Sequence, residues 1–158
     1  MTDAFGVRLA LDWGAARIGV AACDAGGTLA YPVETLNARD EPAVLARLRA
    51  LVAEYEPTGF VLGLPRHLKG TEGQNAALAR DRARWLAEQF PELDVRLIDE
   101  RLSTVSAARD LRAAGRTARQ QRAVIDQAAA VAILNTALDA ERASGRRAGE
   151  SIDGRTDA

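Results

Sequence analysis

The stretch VRLALDWGAARIGVAACDAGGTLAYPVETL, residues 7–36, decides the fold. Val7, Leu9 and Leu11 alternate with Arg8 and Ala10, the period of a strand, and Asp12-Trp13-Gly14 closes that strand in a turn. A second strand follows over RIGVAAC, 17–23, then the turn signal DAGG, 24–27, then a third run, TLAYPVETL, 28–36. Strands separated by short glycine turns pair antiparallel, so the chain opens with a meander. Pro32 cannot donate to a ladder, which weakens the third strand or sends it to a sheet edge.

Beyond the meander the pattern changes to alternating helices and strands. Asp40 and Pro42 mark a helix start, and Leu45, Leu48, Leu51, Val52 and Tyr55 repeat at helical spacing up to Glu56-Pro57. GFVLGLP, 59–65, reads as a short buried strand and RHLKGTEG, 66–73, as a loop. Thr71 and Gln74 have capping-box spacing, predicting a helix that buries Leu78, Trp85 and Leu86. DVRLIDE, 94–100, is another strand. Ser103 can cap a helix through Val105, Ala108 and Leu111 that ends at Gly115, and a final helix spans about 119 to 141. This order predicts an α/β fold with a mixed five-stranded sheet, an antiparallel meander followed by parallel strands, and helices on both faces. One domain is expected over residues 1–143. Residues 144–158 have almost no apolar content and are expected to form a disordered tail.

Composition sets limits rather than a function. At 158 residues, 47% apolar and 27% charged, the chain is ordinary globular material with one core. A formal net charge of −1 gives no global signal for nucleic acid, although local distribution can still supply one. Lys69 is the only lysine among 21 cationic residues. A single cysteine, Cys23, excludes an internal disulfide framework and a cysteine-based zinc site, and its apolar strand suits a core role. Arg8 and Asp12 interrupt the first apolar run, so it reads as neither signal peptide nor membrane span, and cytoplasm is the expected compartment.

Three acids stand out by their company. Asp12 ends the first strand, Asp99-Glu100 ends the last, and Asp126 sits in a helix where 12 of the 16 residues from Ala123 to Leu138 are apolar. Separately they read as a turn residue, an ion-pair partner of Arg101 and a helix N-terminal acid. Together they suggest a site, because groups at the carboxyl ends of parallel strands converge there. Converging carboxylates repel unless cations neutralise them, and Mg²⁺ or Mn²⁺ prefers oxygen ligands. Two such ions would serve phosphodiester hydrolysis. Asp99 and Glu100 point to opposite faces of a strand, so one of them should join the site, and parity does not decide which.

Four ordered motifs carry a resemblance: LALDWGAARIGVA, VLGLPRHLKGTEG, LIDERLST and IDQAAAVAIL. Over about residues 5–140 the chain resembles the YqgF/RuvX family of pre-16S rRNA nucleases and Holliday-junction resolvases. The resemblance implies an RNase H-like fold shared with RuvC resolvases, and a single RNase H-like nuclease domain over 1–143. It implies a divalent-metal-dependent nuclease with Asp12, Glu100 and Asp126 as catalytic metal ligands, which selects Glu100 over Asp99. Trp13 stands where many relatives carry phenylalanine, and Gln120-Gln121-Arg122 where a lysine is common. The implied substrate is the 5′ end of precursor 16S rRNA, within ribosomal precursor particles, with a four-way DNA junction as the alternative.

For phosphate contacts the sequence offers Arg66 and Lys69 in the loop 66–73, and the stripe Arg101, Arg109, Arg112, Arg116, Arg119 and Arg122, in which Asp110 is the one acid. Lys69-Gly70-Thr71 reverses the order of a Walker loop, and the lone His67 reads as a surface group. Two other classes fit parts of the pattern. Asp12-Trp13-Gly14 resembles the first phosphate loop of actin-like ATPases, with Ala15-Ala16 where a hydroxyl is usual. A non-catalytic RNA-binding or transcription-associated module would keep the basic stripe without the chemistry.

Overall fold

The computed structural model describes residues 5–65, 72–100 and 119–152, with side chains of the last segment from residue 125. Strands β1 (Arg8–Trp13), β2 (Arg17–Cys23) and β3 (Ala30–Asn37) form the meander, followed by α1 (Glu41–Tyr55), β4 (Gly59–Leu64), α2 (Gln74–Gln89), β5 (Asp94–Asp99), α3 (Arg119–Ser144) and β6 (Glu150–Ser151). The sheet order is β3-β2-β1-β4-β5-β6. The β1–β2, β2–β3 and β5–β6 pairs are antiparallel, while β1–β4 and β4–β5 are parallel. Pro32 lies on the edge strand, where a missing N–H costs no ladder bond.

Strand alternation sorts the core into two layers. Leu9, Leu11, Ile18, Val20, Phe60, Leu62, Leu64, Val95 and Leu97 face α1 and α2. Ala10, Ala21, Cys23, Val61 and Ile98 face α3, which meets them with Ala129, Ala130, Ile133, Leu134, Ala137 and Leu138. Small residues on the α3 side let that helix lie close to the sheet. Each fully buried leucine or isoleucine stabilises the fold by roughly 1.5–3 kcal/mol. The Asp40 carboxylate accepts a bond of 3.1 Å from the Ala43 N–H, and Pro42 suits the first turn of α1. Glu56, at φ 47°, ends it in the left-handed region and donates to the Val52 carbonyl.

Four expectations need correction. The sheet has six strands rather than five, because β6 adds to β5. The presumed tail therefore begins too early at Ser144, since α3 runs through that residue and 145–152 return to the sheet. Arg80 bonds Glu150, and Arg147 bonds Asp94 at 3.1 Å, so ion pairs anchor this return together with Ala148 and Ile152, which pack against the two core layers. The cap residue of α2 is Gly73, not Thr71, and it supplies no side-chain bond. Leu78 is 43% exposed, because the buried stripe of α2 runs through Ala76, Ala79, Ala83 and Leu86. The helix expected after Ser103 lies outside the described residues, as does the tail from 153 onward.

Candidate active site

Asp12 is flanked by glycine on both sides. In the β1–β2 register it pairs with Gly19. The β1–β4 register pairs Leu11 with Leu62, and one step further brings Asp12 beside Gly63. Asp12 follows Ala10 on the face toward α3, and both glycines share that face. A Cβ on Gly19 would collide with the backbone carbonyl of Asp126 and press on the Gln127 nitrogen. The missing side chain is thus what seats the Asp126 turn of α3 directly on β2. A Cβ on Gly63 would collide with Glu100 Oε1, so the Glu100 carboxylate lies over β4 in the space that glycine leaves.

These two close approaches gather the three acids. Along β5, Ile98 faces α3 while Leu97 faces the opposite core, so Glu100 belongs to the α3 face and Asp99 to the other. Asp12 and β5 are separated by two strand spacings, roughly 9–10 Å, and Glu100 leans into that interval. Asp12, Glu100 and Asp126 are 2%, 7% and 0% exposed. Three carboxylates so deeply withdrawn from water require compensating charge, since desolvating one ion costs several kcal/mol.

Part of that compensation is Arg17, a residue the sequence reading did not select. Its Nε donates to Asp126 Oδ2 at 2.7 Å, with the Arg17 side chain one-third exposed. Nothing in the sequence distinguishes Arg17 from other strand-end arginines, because its partner is 109 residues away. The three acids supply hard oxygen donors, and in donor chemistry they suit Mg²⁺ or Mn²⁺. They are not a ready-made cage. Among the described residues no three Asp, Glu, His or Cys side chains stand close enough to clasp an ion. Movement of side chains, Arg17 included, would have to accompany binding.

A second missed residue is Arg82 on α2. Its Nη1 donates to the Trp13 carbonyl at 2.8 Å, and its guanidinium carbon stands 5.6 Å from the centroid of the Trp13 ring. Trp13 in turn meets Trp85 edge-on, with centroids 5.8 Å apart and planes at 88°. Burial lowers the pKa of Arg82 from its ordinary value. A cavity of about 290 Å³ opens at this end of the sheet, walled in part by Trp13, Gly63, Pro65, Arg82 and Glu100.

Of the proposed phosphate contacts, Arg66, Lys69, Arg101, Arg109, Arg112 and Arg116 lie outside the described residues, as does His67. Arg119 and Arg122 fall in the first turns of α3, where side chains are not described. Cys23 is buried, and its sulfur accepts from the Arg8 backbone N–H at 3.4 Å, consistent with a core role. No described helix is long and apolar enough to cross a membrane.

Comparison with known proteins agrees with this architecture. A family model described as RuvX, Holliday junction resolvase, matches residues 6–140. A protein of Streptomyces coelicolor named "Putative pre-16S rRNA nuclease" is 56% identical over 148 residues, covering 94% of this chain and 89% of its own. A Thermobifida fusca protein of the same name is 48% identical over 156 residues, with 94% and 97% covered. Among solved structures, Thermus thermophilus RuvC in complex with a Holliday junction substrate superposes with a TM-score of 0.55 at 14% identity, covering 90% of this chain and 99% of that one. A second structure, described as Thermus thermophilus RuvC, gives 0.54 at 15% identity. At such identities the likeness speaks for the fold, which is RNase H-like.

Proposed function

Because the chain belongs to the RuvX family, we propose that it is a nuclease hydrolysing phosphodiester bonds in structured nucleic acid, dependent on Mg²⁺ or Mn²⁺. The observation that carries this reading is the burial of Asp12, Glu100 and Asp126 on one face of the sheet, beside two glycines that let Glu100 and the Asp126 turn approach it. Asp12, Glu100 and Asp126 would hold the metal, one ion or two. The chemistry such ions supply when bound is activation of water and stabilisation of the leaving oxygen.

The chain's own residues prepare that chemistry. Gly63 lets the Glu100 carboxylate lie over β4 toward Asp12, and Gly19 lets α3 bring Asp126 against β2. Arg17 orients Asp126 through one oxygen and offsets its charge. Burial keeps bulk water away and strengthens every charge interaction within. The basic stripe from Arg101 to Arg122 would grip the backbone without reading sequence.

For the substrate, the names of the relatives favour precursor 16S rRNA; action at its 5′ end, in the cytoplasm and on ribosomal precursor particles, is what the family resemblance adds to this reading. The family description favours a four-way DNA junction as the second reading. Labelled rRNA precursor, single-stranded RNA, single-stranded DNA and a four-way junction would be offered to the wild type and Asp12→Asn, with Mg²⁺, Mn²⁺ or EDTA. Metal-dependent cutting by wild type, abolished in the folded variant, is the expected result. The preferred substrate chooses between the two readings. A folded wild type that binds these substrates and cuts none of them would leave a binding module instead.

A further inference from the structure

Among the described residues most arginines are paired with carboxylates: Arg8 with Glu141, Arg17 with Asp126, Arg47 with Glu34, Arg80 with Glu72 and Glu150, and Arg96 with Asp94. Arg82 is different. It is half-buried on α2, and among the described residues the hydrogen-bond acceptor it meets is a neutral one, the Trp13 carbonyl. A guanidinium that has lost part of its hydration without gaining an anion is poised to receive one, and its planar fork matches a phosphate.

Its surroundings narrow the ligand. The cavity it borders reaches Glu100 on one side and has Trp13, Pro65 and half-exposed Leu78 as apolar walls. Its volume of about 290 Å³ is at the lower limit of small-ligand sites, roughly 300 Å³, enough for one nucleotide and too small for a base pair. A second hollow of about 300 Å³ shares Trp13, Leu78 and Arg82 with the first and is lined by two acids, Glu41 and Asp81, against Glu100 alone in the first, so the first repels an anionic backbone less.

We propose that the cavity between Trp13, Arg82 and Glu100 is a subsite for one unpaired nucleotide next to the cleaved bond, with Arg82 on its phosphate and the apolar walls against its base and ribose. The ligand identity rests on the nuclease reading. The subsite gives that reading a specificity: a nucleotide held in a helix is stacked and paired and does not enter, whereas a single-stranded one does, and apolar contact with it is indifferent to sequence.

The test is binding without metal. Fluorescence anisotropy of labelled single-stranded RNA, single-stranded DNA and a matched duplex, in EDTA across a salt series, would compare wild type with Arg82→Gln and Arg82→Lys. Loss of one phosphate contact lowers the slope of log K against log salt by about 0.7 for a single strand. Arg82→Gln should show that loss with single strands, with a roughly tenfold weaker Kd, and Arg82→Lys should keep the slope. The slope for duplex should stay as in wild type. In Trp85→Phe, Trp13 is the only tryptophan left, and single strands should quench it. An unchanged slope in folded Arg82→Gln, an equal change with duplex, or no quenching overturns the subsite, and the quenching arm decides alone if Arg82→Gln does not fold. RNA and DNA arms that differ identify the sugar the cavity accepts. Cleavage with an unchanged slope would remove the subsite and keep the nuclease. A changed slope without cleavage on any substrate would do the reverse.

Discussion

At the scale of residues, the site depends on which side of a strand each acid occupies. Glu100 and Asp99 are adjacent, yet only Glu100 shares the α3 face with Asp12 and Asp126. Glu100→Gln should reduce cleavage by at least about 100-fold, near 2.7 kcal/mol of barrier, while Asp99→Asn costs far less. Initial rates for the two variants check this, and an inactive Asp99→Asn beside an active Glu100→Gln would reverse the assignment. Thermal melting should show Glu100→Gln as stable as wild type or more so in EDTA, since it removes one of several like charges. Arg17 is subject to opposite demands. It satisfies Asp126 when no metal is present, and its charge opposes a cation that arrives there. Arg17→Met should therefore tighten Mn²⁺ binding by roughly tenfold, about 1.4 kcal/mol, and should melt earlier in EDTA by an amount that Mn²⁺ restores. Calorimetric titration with Mn²⁺ decides it: an unchanged or weaker affinity would mean that Arg17 positions Asp126 rather than competing for it.

At the scale of elements, two glycines do different work, and alanine at each should fail differently. At Gly19 the added methyl meets backbone of α3, which cannot move without lifting the helix from β2. Overpacking of this kind costs about 1–3 kcal/mol, so Gly19→Ala should melt several degrees earlier and also lose activity. At Gly63 the methyl meets the end of a side chain, Glu100, which can rotate away. Gly63→Ala should keep most of its stability while cleavage falls by an order of magnitude or more. Melting curves set against rates separate the two, and equal stability losses would contradict this division.

At the scale of the whole molecule, the C-terminal part of the chain closes the structure. Arg8 at the start of β1 meets Glu141 near the end of α3 through bonds of 2.8 and 2.5 Å, both residues being buried, and Glu141 also accepts from the Ala148 N–H at 3.0 Å. Breaking a buried pair from one side costs about 3–5 kcal/mol. Glu141→Gln should accordingly lower Tm by roughly 6–20 °C, read by calorimetry, without altering which substrates are cut. Ending the chain at Ser144 would remove β6 and expose the edge of β5, a surface prone to pair with other chains. Earlier melting with aggregation, seen by light scattering, is the expected result.

The sequence by itself determined the element order and the layers. The meander at 7–36, the helices at 41–55 and 74–89 and the apolar α3 announce themselves through local periodicity, turn residues and caps, and these act within a few residues of each other. It also singled out three acids by their apolar neighbours, although only the family resemblance preferred Glu100 to Asp99. Tertiary structure decided the rest. The face shared by Asp12, Glu100 and Asp126 depends on strand register. The role of Gly19 depends on a helix more than 100 residues later, as does the pairing of Arg17, and the bond of Arg82 to the neutral Trp13 carbonyl depends on what α2 meets across the chain. The sixth strand escaped notice because its two residues, Glu150 and Ser151, are polar and are held by ion pairs and a ladder edge. Such contacts leave no period in a sequence: hydrophobic burial is written locally, while the partners of charges and the spaces left by glycines exist only once distant segments have met.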